Sequence, residues 1–136
     1  MSGEKWERLA RVYAAVVGAM DFATGIGLLA MPAVTLGAMG ARVPGREAQV
    51  FVSFAGVFVL AVGASYLWAA TRGPAVRRTV LGVTIFFRTG AGLFAAVGVA
   101  QGVLDAAWWT VAATDLACVV VQLGLLAKGV GRDDRK

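Results

Sequence analysis

The chain has 136 residues, of which 59% are hydrophobic and only 15% are charged, a balance outside the usual range for a soluble domain of this size. The formal net charge is +5, but the basic residues are spread along the chain, which argues against a nucleic-acid-binding face. Histidine is absent and Cys118 is the one cysteine. The commonest metal ligand and an intramolecular disulfide are therefore both excluded.

Four apolar stretches predict four membrane-spanning helices, at about residues 12–31, 48–71, 79–104 and 106–127. An α-helix rises ~1.5 Å per residue, so ~20 apolar residues cross a ~30 Å hydrocarbon core. We therefore expect an all-α fold, an integral membrane four-helix bundle in which residues 1–136 form a single domain.

The stretches are separated by connections of different lengths. Pro32 ends the first stretch, and the glycine- and proline-rich segment 33–47 is predicted to be a loop. The second stretch carries no charge and ends at a tight turn, 72–74. Only a short link near residue 105 separates the third stretch from the fourth.

A nine-residue phrase occurs twice, at residues 22–30 and 87–95, with six positions identical. Both copies contain Thr-Gly-x-Gly and lie 65 residues apart. Because two spans separate the copies, both run in the same direction through the membrane. This indicates two parallel-repeat helix pairs, with halves of about 1–72 and 73–136.

Lysine and arginine residues are distributed unevenly between the predicted connections. With four spans, the N-terminal segment, the middle turn and the C-terminal tail share one side and carry ten of them, whereas the other side carries two. Cytoplasmic segments of membrane proteins are enriched in lysine and arginine. We therefore expect both termini to be cytoplasmic.

Three charged residues lie inside the apolar stretches: Asp21, Arg88 and Asp115. Counting along each helix at ~1.5 Å per residue places each about 15 Å from the membrane surface. Because a charge facing lipid there costs about 2.5–3.5 kcal/mol, we expect all three to face the bundle interior. Polar side chains on nearby turns are predicted to complete their hydrogen bonds: Thr24, Thr84, Thr89, Thr114 and Gln122.

The partners within this site follow from helix connectivity. Arg88 and Asp115 lie on consecutive helices with the shortest predicted connection, so we predict a direct contact between them. In the aligned repeat, Asp21 and Arg88 are two positions apart, about 200° around a helix, so we expect Asp21 not to reach Arg88. A buried carboxyl without a cation is expected to be protonated, which makes Asp21 the predicted proton-binding residue.

The four short spans, the two Thr-Gly-x-Gly phrases and the isolated Arg88 resemble the DoxX-like group of small bacterial four-helix membrane proteins. Some members of that group accompany quinone-linked oxidoreductases. The resemblance implies a bacterial cytoplasmic (inner) membrane location and an accessory redox role. It transfers no catalytic residue to this chain.

Three functions are consistent with this pattern. The first is binding of a proton or a small amphipathic ligand at the Asp21/Arg88/Asp115 site. The second is that of an accessory subunit in a larger respiratory, quinone-linked or photosynthetic complex. The third is a membrane-embedded enzyme that acts on a lipid or terpenoid with a carboxyl as general acid. The expected partners are the lipid bilayer and a lipid or quinone-like ligand, not nucleic acid; no reaction, cofactor or metal site can be identified.

Overall fold

A computed structural model describes residues 3–131, and within this part of the chain the regular structure is entirely helical. The helices are α1 (Gly3–Ala30), α2 (Pro32–Ala38), α3 (Arg46–Thr71), α4 (Pro74–Ala100) and α5 (Trp108–Ala127). All but the short α2 are long and apolar enough to cross a membrane. The predicted all-α membrane bundle with four spanning helices is therefore confirmed.

The helices differ from the apolar stretches at their ends. α1 begins at Gly3 rather than near residue 12, and α4 begins at Pro74 rather than near residue 79. Glutamate, lysine and arginine form helices well, so the helix continues through polar residues that hydropathy excludes. Proline is favoured in the first turn of a helix, which explains the start of α4. The segment predicted to be a loop contains α2, which also starts at a proline.

Two helix pairs form the bundle: α1 packs along α3, and α4 packs along α5. Glycines allow the backbones of α1 and α3 to approach closely. A Cβ atom added at Gly63 would overlap the backbone of Phe22, and one added at Gly25 would overlap the backbone of Leu60. Small residues at such crossings are typical of helix association in membranes, where packing rather than water exclusion supplies the attraction.

The two copies of the repeated phrase do not pack in the same way. Gly25 of the first copy lies against α3, whereas its counterpart Gly90 has no neighbouring atom within 4 Å of an added Cβ. In the second copy it is Gly92 that lies against α5, next to Leu116. The duplication of a helix pair thus stays a prediction from the sequence.

Polar contacts fix the two ends of the bundle. At one end, the Glu7 carboxylate of α1 accepts hydrogen bonds from Arg77 at the start of α4 (3.3 Å) and from the backbone of Gly131 after α5 (2.5 Å). At the other end, Asp105 accepts a hydrogen bond from the backbone N–H of Arg42 (2.6 Å). Both ends of the described chain therefore lie at the same end of the bundle, as four spans require.

The outer surface of the bundle is strongly apolar. Phe86 is 81% exposed and Phe51 is 74% exposed, and valine, leucine and further phenylalanine side chains surround them. A monomeric soluble protein rarely exposes an apolar surface of this extent, because contact with water would be costly. The surface is suited to the hydrocarbon chains of a lipid bilayer.

Candidate functional site

Arg88 of α4 lies at the centre of a buried charged triad. Its side chain is only 2% exposed, and its Nη1 atom lies 2.5 Å from Oδ1 of Asp115 on α5. The predicted contact between Arg88 and Asp115 is therefore confirmed. The Asp115 side chain is 13% exposed, so the ion pair is largely shielded from the surroundings of the bundle.

The expectation that Asp21 does not reach Arg88 is wrong. Nη2 of Arg88 lies 2.5 Å from Oδ2 of Asp21, whose side chain is 12% exposed. The difference of about 200° concerns only the directions in which the two side chains leave their helices. A guanidinium group is large and carries N–H donors along several edges, so one arginine can contact carboxylates on two different helices.

Tyr66 of α3 completes the surroundings of Arg88. Nε of Arg88 donates a hydrogen bond to the Tyr66 hydroxyl at 3.1 Å, and Cζ lies 5.3 Å from the centre of the tyrosine ring. Each spanning helix thus supplies one member of the cluster: Asp21 from α1, Tyr66 from α3, Arg88 from α4 and Asp115 from α5.

Gln122 extends this network along α5 through Tyr66, although within residues 3–131 it hydrogen-bonds none of the three charged side chains directly. Its amide nitrogen lies 2.7 Å from the Tyr66 hydroxyl, 2.7 Å from the Thr84 hydroxyl and 3.0 Å from the Leu81 carbonyl oxygen. Thr84 donates its own proton to the Val80 carbonyl at 2.7 Å, so its hydroxyl oxygen is able to accept from the amide. The residue is completely buried, and its Oε1 atom has no hydrogen-bond partner in the described part of the chain.

The other predicted threonines are not brought into the network. Thr24 and Thr89 are half-buried and Thr114 is exposed, and none of their side chains hydrogen-bonds the triad within residues 3–131. Thr89 follows Arg88 directly and so points about 100° away from it around α4. A threonine close in sequence to a charged residue can therefore lie on a different face of the same helix, which is why these predictions failed.

Two glycines on neighbouring helices pack closely against the aspartates of the triad. The close approach at Gly63 brings α3 against the backbone of Asp21 and Phe22, one helical turn before Tyr66. On the other side of the cluster, a Cβ added at Gly92 would stand 3.3 Å from Cβ of Asp115. The helix crossings and the charged triad are thus parts of one packing arrangement.

Sequence reasoning missed Tyr66, although a signal was present. Tyr66 is one of only two tyrosines in the sequence. It places a hydroxyl group inside a predicted span that contains no charged residue. A buried tyrosine usually hydrogen-bonds through its hydroxyl, so a partner in the polar centre was the natural expectation. The glycine at position 63, one turn away, marks the side of α3 that faces α1.

The triad brings charged groups together in a largely buried region of the bundle. All three nitrogens of the Arg88 guanidinium already contact oxygen atoms of the protein. The side chains that meet here offer two carboxylates, one cation and a phenol. No protein-family model, curated protein or solved structure matches this chain, so the function has to be argued from this geometry.

Proposed function

We propose that the chain is a membrane protein whose Asp21/Arg88/Asp115 triad binds one proton near the centre of the bilayer. The observation that supports the proposal is that two carboxylates share a single buried guanidinium, each at 2.5 Å. With both carboxylates ionised the triad carries one net negative charge. One added proton makes it neutral.

The charge count favours that proton. A net charge in a low-dielectric interior is strongly disfavoured, and a buried group is usually neutralised by a proton or a counter-ion. No second arginine or lysine among residues 3–131 lies within ion-pairing distance of either aspartate. A proton is the smallest species able to balance the charge without separating the helices.

The same geometry argues for a proton over a small anionic or amphipathic ligand at the triad. Each nitrogen of Arg88 already contacts a protein oxygen, so an anionic group would have to share the guanidinium with Asp21 and Asp115. It would also add a further negative charge to a triad that is already negative when both carboxylates are ionised, which burial strongly disfavours. A proton removes net charge instead.

Proton binding at this position would act on the association of the two helix pairs. Asp21 and Tyr66 belong to the α1/α3 pair, whereas Arg88 and Asp115 belong to the α4/α5 pair. Protonation of Asp21 would convert an ion pair that joins the two helix pairs into a weaker hydrogen bond between the guanidinium and an uncharged carboxyl group. The triad would then serve as a proton-sensitive link inside the membrane.

The test is infrared spectroscopy of the full chain in bilayers, in the region of the protonated carboxyl C=O stretch. Wild-type protein at pH 7 should show one protonated carboxyl. Asp21→Asn and Asp115→Asn should each abolish this band, because either change leaves one carboxylate matched by one guanidinium. Asp105→Asn serves as the control, since Asp105 lies in the link between α4 and α5, and it should leave the band intact.

Two results would contradict the proposal. If wild-type protein shows no protonated carboxyl at pH 7, both aspartates are ionised and the triad is a structural clamp. If the band survives in both Asn variants of the triad, the proton lies elsewhere. Co-purification with other membrane subunits, or turnover of a lipid that depends on Asp21 or Asp115, would instead favour the accessory-subunit or enzyme alternative.

The proposed location is the bacterial cytoplasmic membrane, with both termini in the cytoplasm. This rests on the excess of lysine and arginine at one end of the bundle and on the resemblance to the DoxX-like group. A reporter fused after Lys136 should be active in the cytoplasm, and periplasmic activity would reverse the orientation.

A further inference from the structure

A groove runs along the outside of the bundle between α1 and α5, at the end where the described chain begins and finishes. Its volume is about 490 Å³, within the range of ~300–1,000 Å³ typical of ligand sites. Apolar side chains form most of its walls: Leu9, Val12, Val16, Val17, Val121 and Leu125. Gly124 lies on its α5 side, where an added Cβ would meet no atom within 4 Å.

The length of the groove corresponds to one leaflet of a bilayer. From Trp6 to Val17, α1 advances by about 17 Å at ~1.5 Å per residue. Half of a ~30 Å hydrocarbon core is ~15 Å. A single hydrocarbon chain lying along α1 and α5 would therefore match the groove in length and end about one helical turn before Asp21.

The outer end of the groove is cationic. The Lys128 ammonium lies 5.6 Å from the centre of the Trp6 ring, and both residues line the groove. Lys128 also borders a wider polar cavity of about 930 Å³, which contains Arg8 and Arg11. Tryptophan and lysine are characteristic of the membrane interface, where a lipid headgroup would lie.

The negative charges of this cavity do not cancel its positive charges. Two carboxylates, Glu4 and Glu7, line the cavity together with its three cations. The Glu7 carboxylate is already bound by Arg77 and by the backbone of Gly131, which leaves Glu4 alone to oppose those cations. Within residues 3–131, neither Arg8, Arg11 nor Lys128 forms an ion pair. A cationic mouth that continues into an apolar groove matches an amphiphile with an anionic head and a hydrocarbon tail.

We propose that the groove between α1 and α5 holds one anionic phospholipid of the bilayer, with its phosphate near Lys128 and Arg11 and one acyl chain between Val16 and Val121. This site is separate from the triad and goes beyond proton binding. It agrees with the proposed orientation, because anionic lipids of the cytoplasmic leaflet are attracted to basic residues at its surface.

The experiment is native mass spectrometry of the full-length protein in detergent with added phosphatidylglycerol or phosphatidylcholine of identical acyl chains. Wild-type protein should bind one phosphatidylglycerol about tenfold more tightly than phosphatidylcholine. Lys128→Gln should reduce this preference about fivefold, the contribution expected of one basic residue near the surface. Gly124→Leu should fill the groove and lower the binding of both lipids about tenfold.

Gly90→Leu is the matched control. Gly90 is also a helical glycine on the outer surface, an added Cβ there meets no atom within 4 Å, and it does not border the groove. Gly90→Leu should bind lipid like the wild type. Equal losses in the Gly90 and Gly124 variants would assign the lipid to the general surface and overturn the site.

The headgroup assignment has its own test. Equal binding of the two lipids by wild-type protein, or an unchanged preference in Lys128→Gln, would show that no anionic headgroup is recognised and would overturn the proposal. Because Lys128 is exposed and follows the end of α5, its substitution leaves the packed interior intact and keeps the test independent of folding. The infrared band of the triad is expected to be the same in all of these variants.

Discussion

Gly63→Ala is expected to disturb both the packing of α1 on α3 and the charged triad. An added Cβ at position 63 would stand 2.8 Å from Cα of Phe22 and 2.9 Å from the carbonyl carbon of Asp21, and the Phe22 nitrogen would be closer still. Ordinary contacts for such an atom begin at 3.4 Å. The obstructing atoms belong to the backbone, so no rotation of a side chain relieves the overlap, and α1 must retreat from α3 by at least about 0.6 Å.

The size of the effect follows from this forced separation. Inserting a methyl group into a well-packed interface typically costs about 1–3 kcal/mol, which lowers the ratio of folded to unfolded protein about 5- to 150-fold. Since Asp21 moves with the α1 backbone, its 2.5 Å contact with Arg88 should lengthen as well. The variant should therefore unfold at lower denaturant and show an altered carboxyl band.

The assay is equilibrium unfolding in detergent micelles, driven by an increasing fraction of sodium dodecyl sulfate and followed by circular dichroism. Gly82→Ala and Gly90→Ala are matched controls, because an added Cβ at either position meets no atom within 4 Å. Each should be unchanged or more stable by up to ~1 kcal/mol, as expected for alanine in place of a helical glycine. If Gly63→Ala unfolds at the same fraction of sodium dodecyl sulfate as these controls, the close backbone crossing of α1 and α3 is incorrect.

Three further predictions concern polar contacts, and the same unfolding assay tests each of them. Arg88→Leu leaves Asp21 and Asp115 without a cation and should cost about 3–5 kcal/mol. Arg88→Lys should recover only part of this loss, because an ammonium lacks the planar fork of a guanidinium. Wild-type stability in Arg88→Leu would contradict the triad. Gln122→Leu removes the amide donor that three acceptor atoms share, but it also removes an unpartnered oxygen, so the loss should be about 1 kcal/mol. A loss as large as that of Arg88→Leu would contradict this balance. Asp105→Ala removes two backbone hydrogen bonds and should cost about 1–3 kcal/mol, whereas Asp105→Asn keeps one acceptor oxygen and should lose about half as much. Equal losses in both variants would show that the two hydrogen bonds do not contribute separately.

The spanning helices were predictable from the sequence because their length and apolar character are imposed by the bilayer. Their starts were less predictable. The segment around Glu4 and Arg11 is helical without being apolar, so hydropathy placed the beginning of α1 too late. Hydropathy reports where a helix contacts lipid, whereas hydrogen bonding and residue propensity decide where it begins.

The site was predictable in its charged members and only partly in their contacts. The depth of Asp21, Arg88 and Asp115 followed from counting residues, because each rise along a helix is constant. The joint contact of Arg88 with both aspartates depends on the reach of its side chain and on the crossing of α1 and α3, neither of which has a one-dimensional signal. The position of Tyr66 depends on the same crossing, and its hydroxyl together with nearby Gly63 was a signal in the sequence that the focus on charged residues passed over.

The distance along the chain between Asp21 and its cation has a consequence for synthesis. Arg88 follows Asp21 by 67 residues. At a translation rate of ~5–20 residues per second, Asp21 is made roughly 3 to 13 s before Arg88. Throughout that interval Asp21 lies in the middle of the first span while Arg88, the cation that it contacts in the folded protein, has not yet been synthesised.

We therefore expect α1 to enter the bilayer with a proton on Asp21 and to pair with Arg88 only after α4 has emerged. A ribosome-bound chain arrested after α3 should insert α1 more completely when it carries Asp21→Asn than when it carries the native residue. Equal insertion of the two nascent chains would show that the ionised aspartate is tolerated during synthesis. The order of translation thus presents the acid to the membrane first and the base several seconds later.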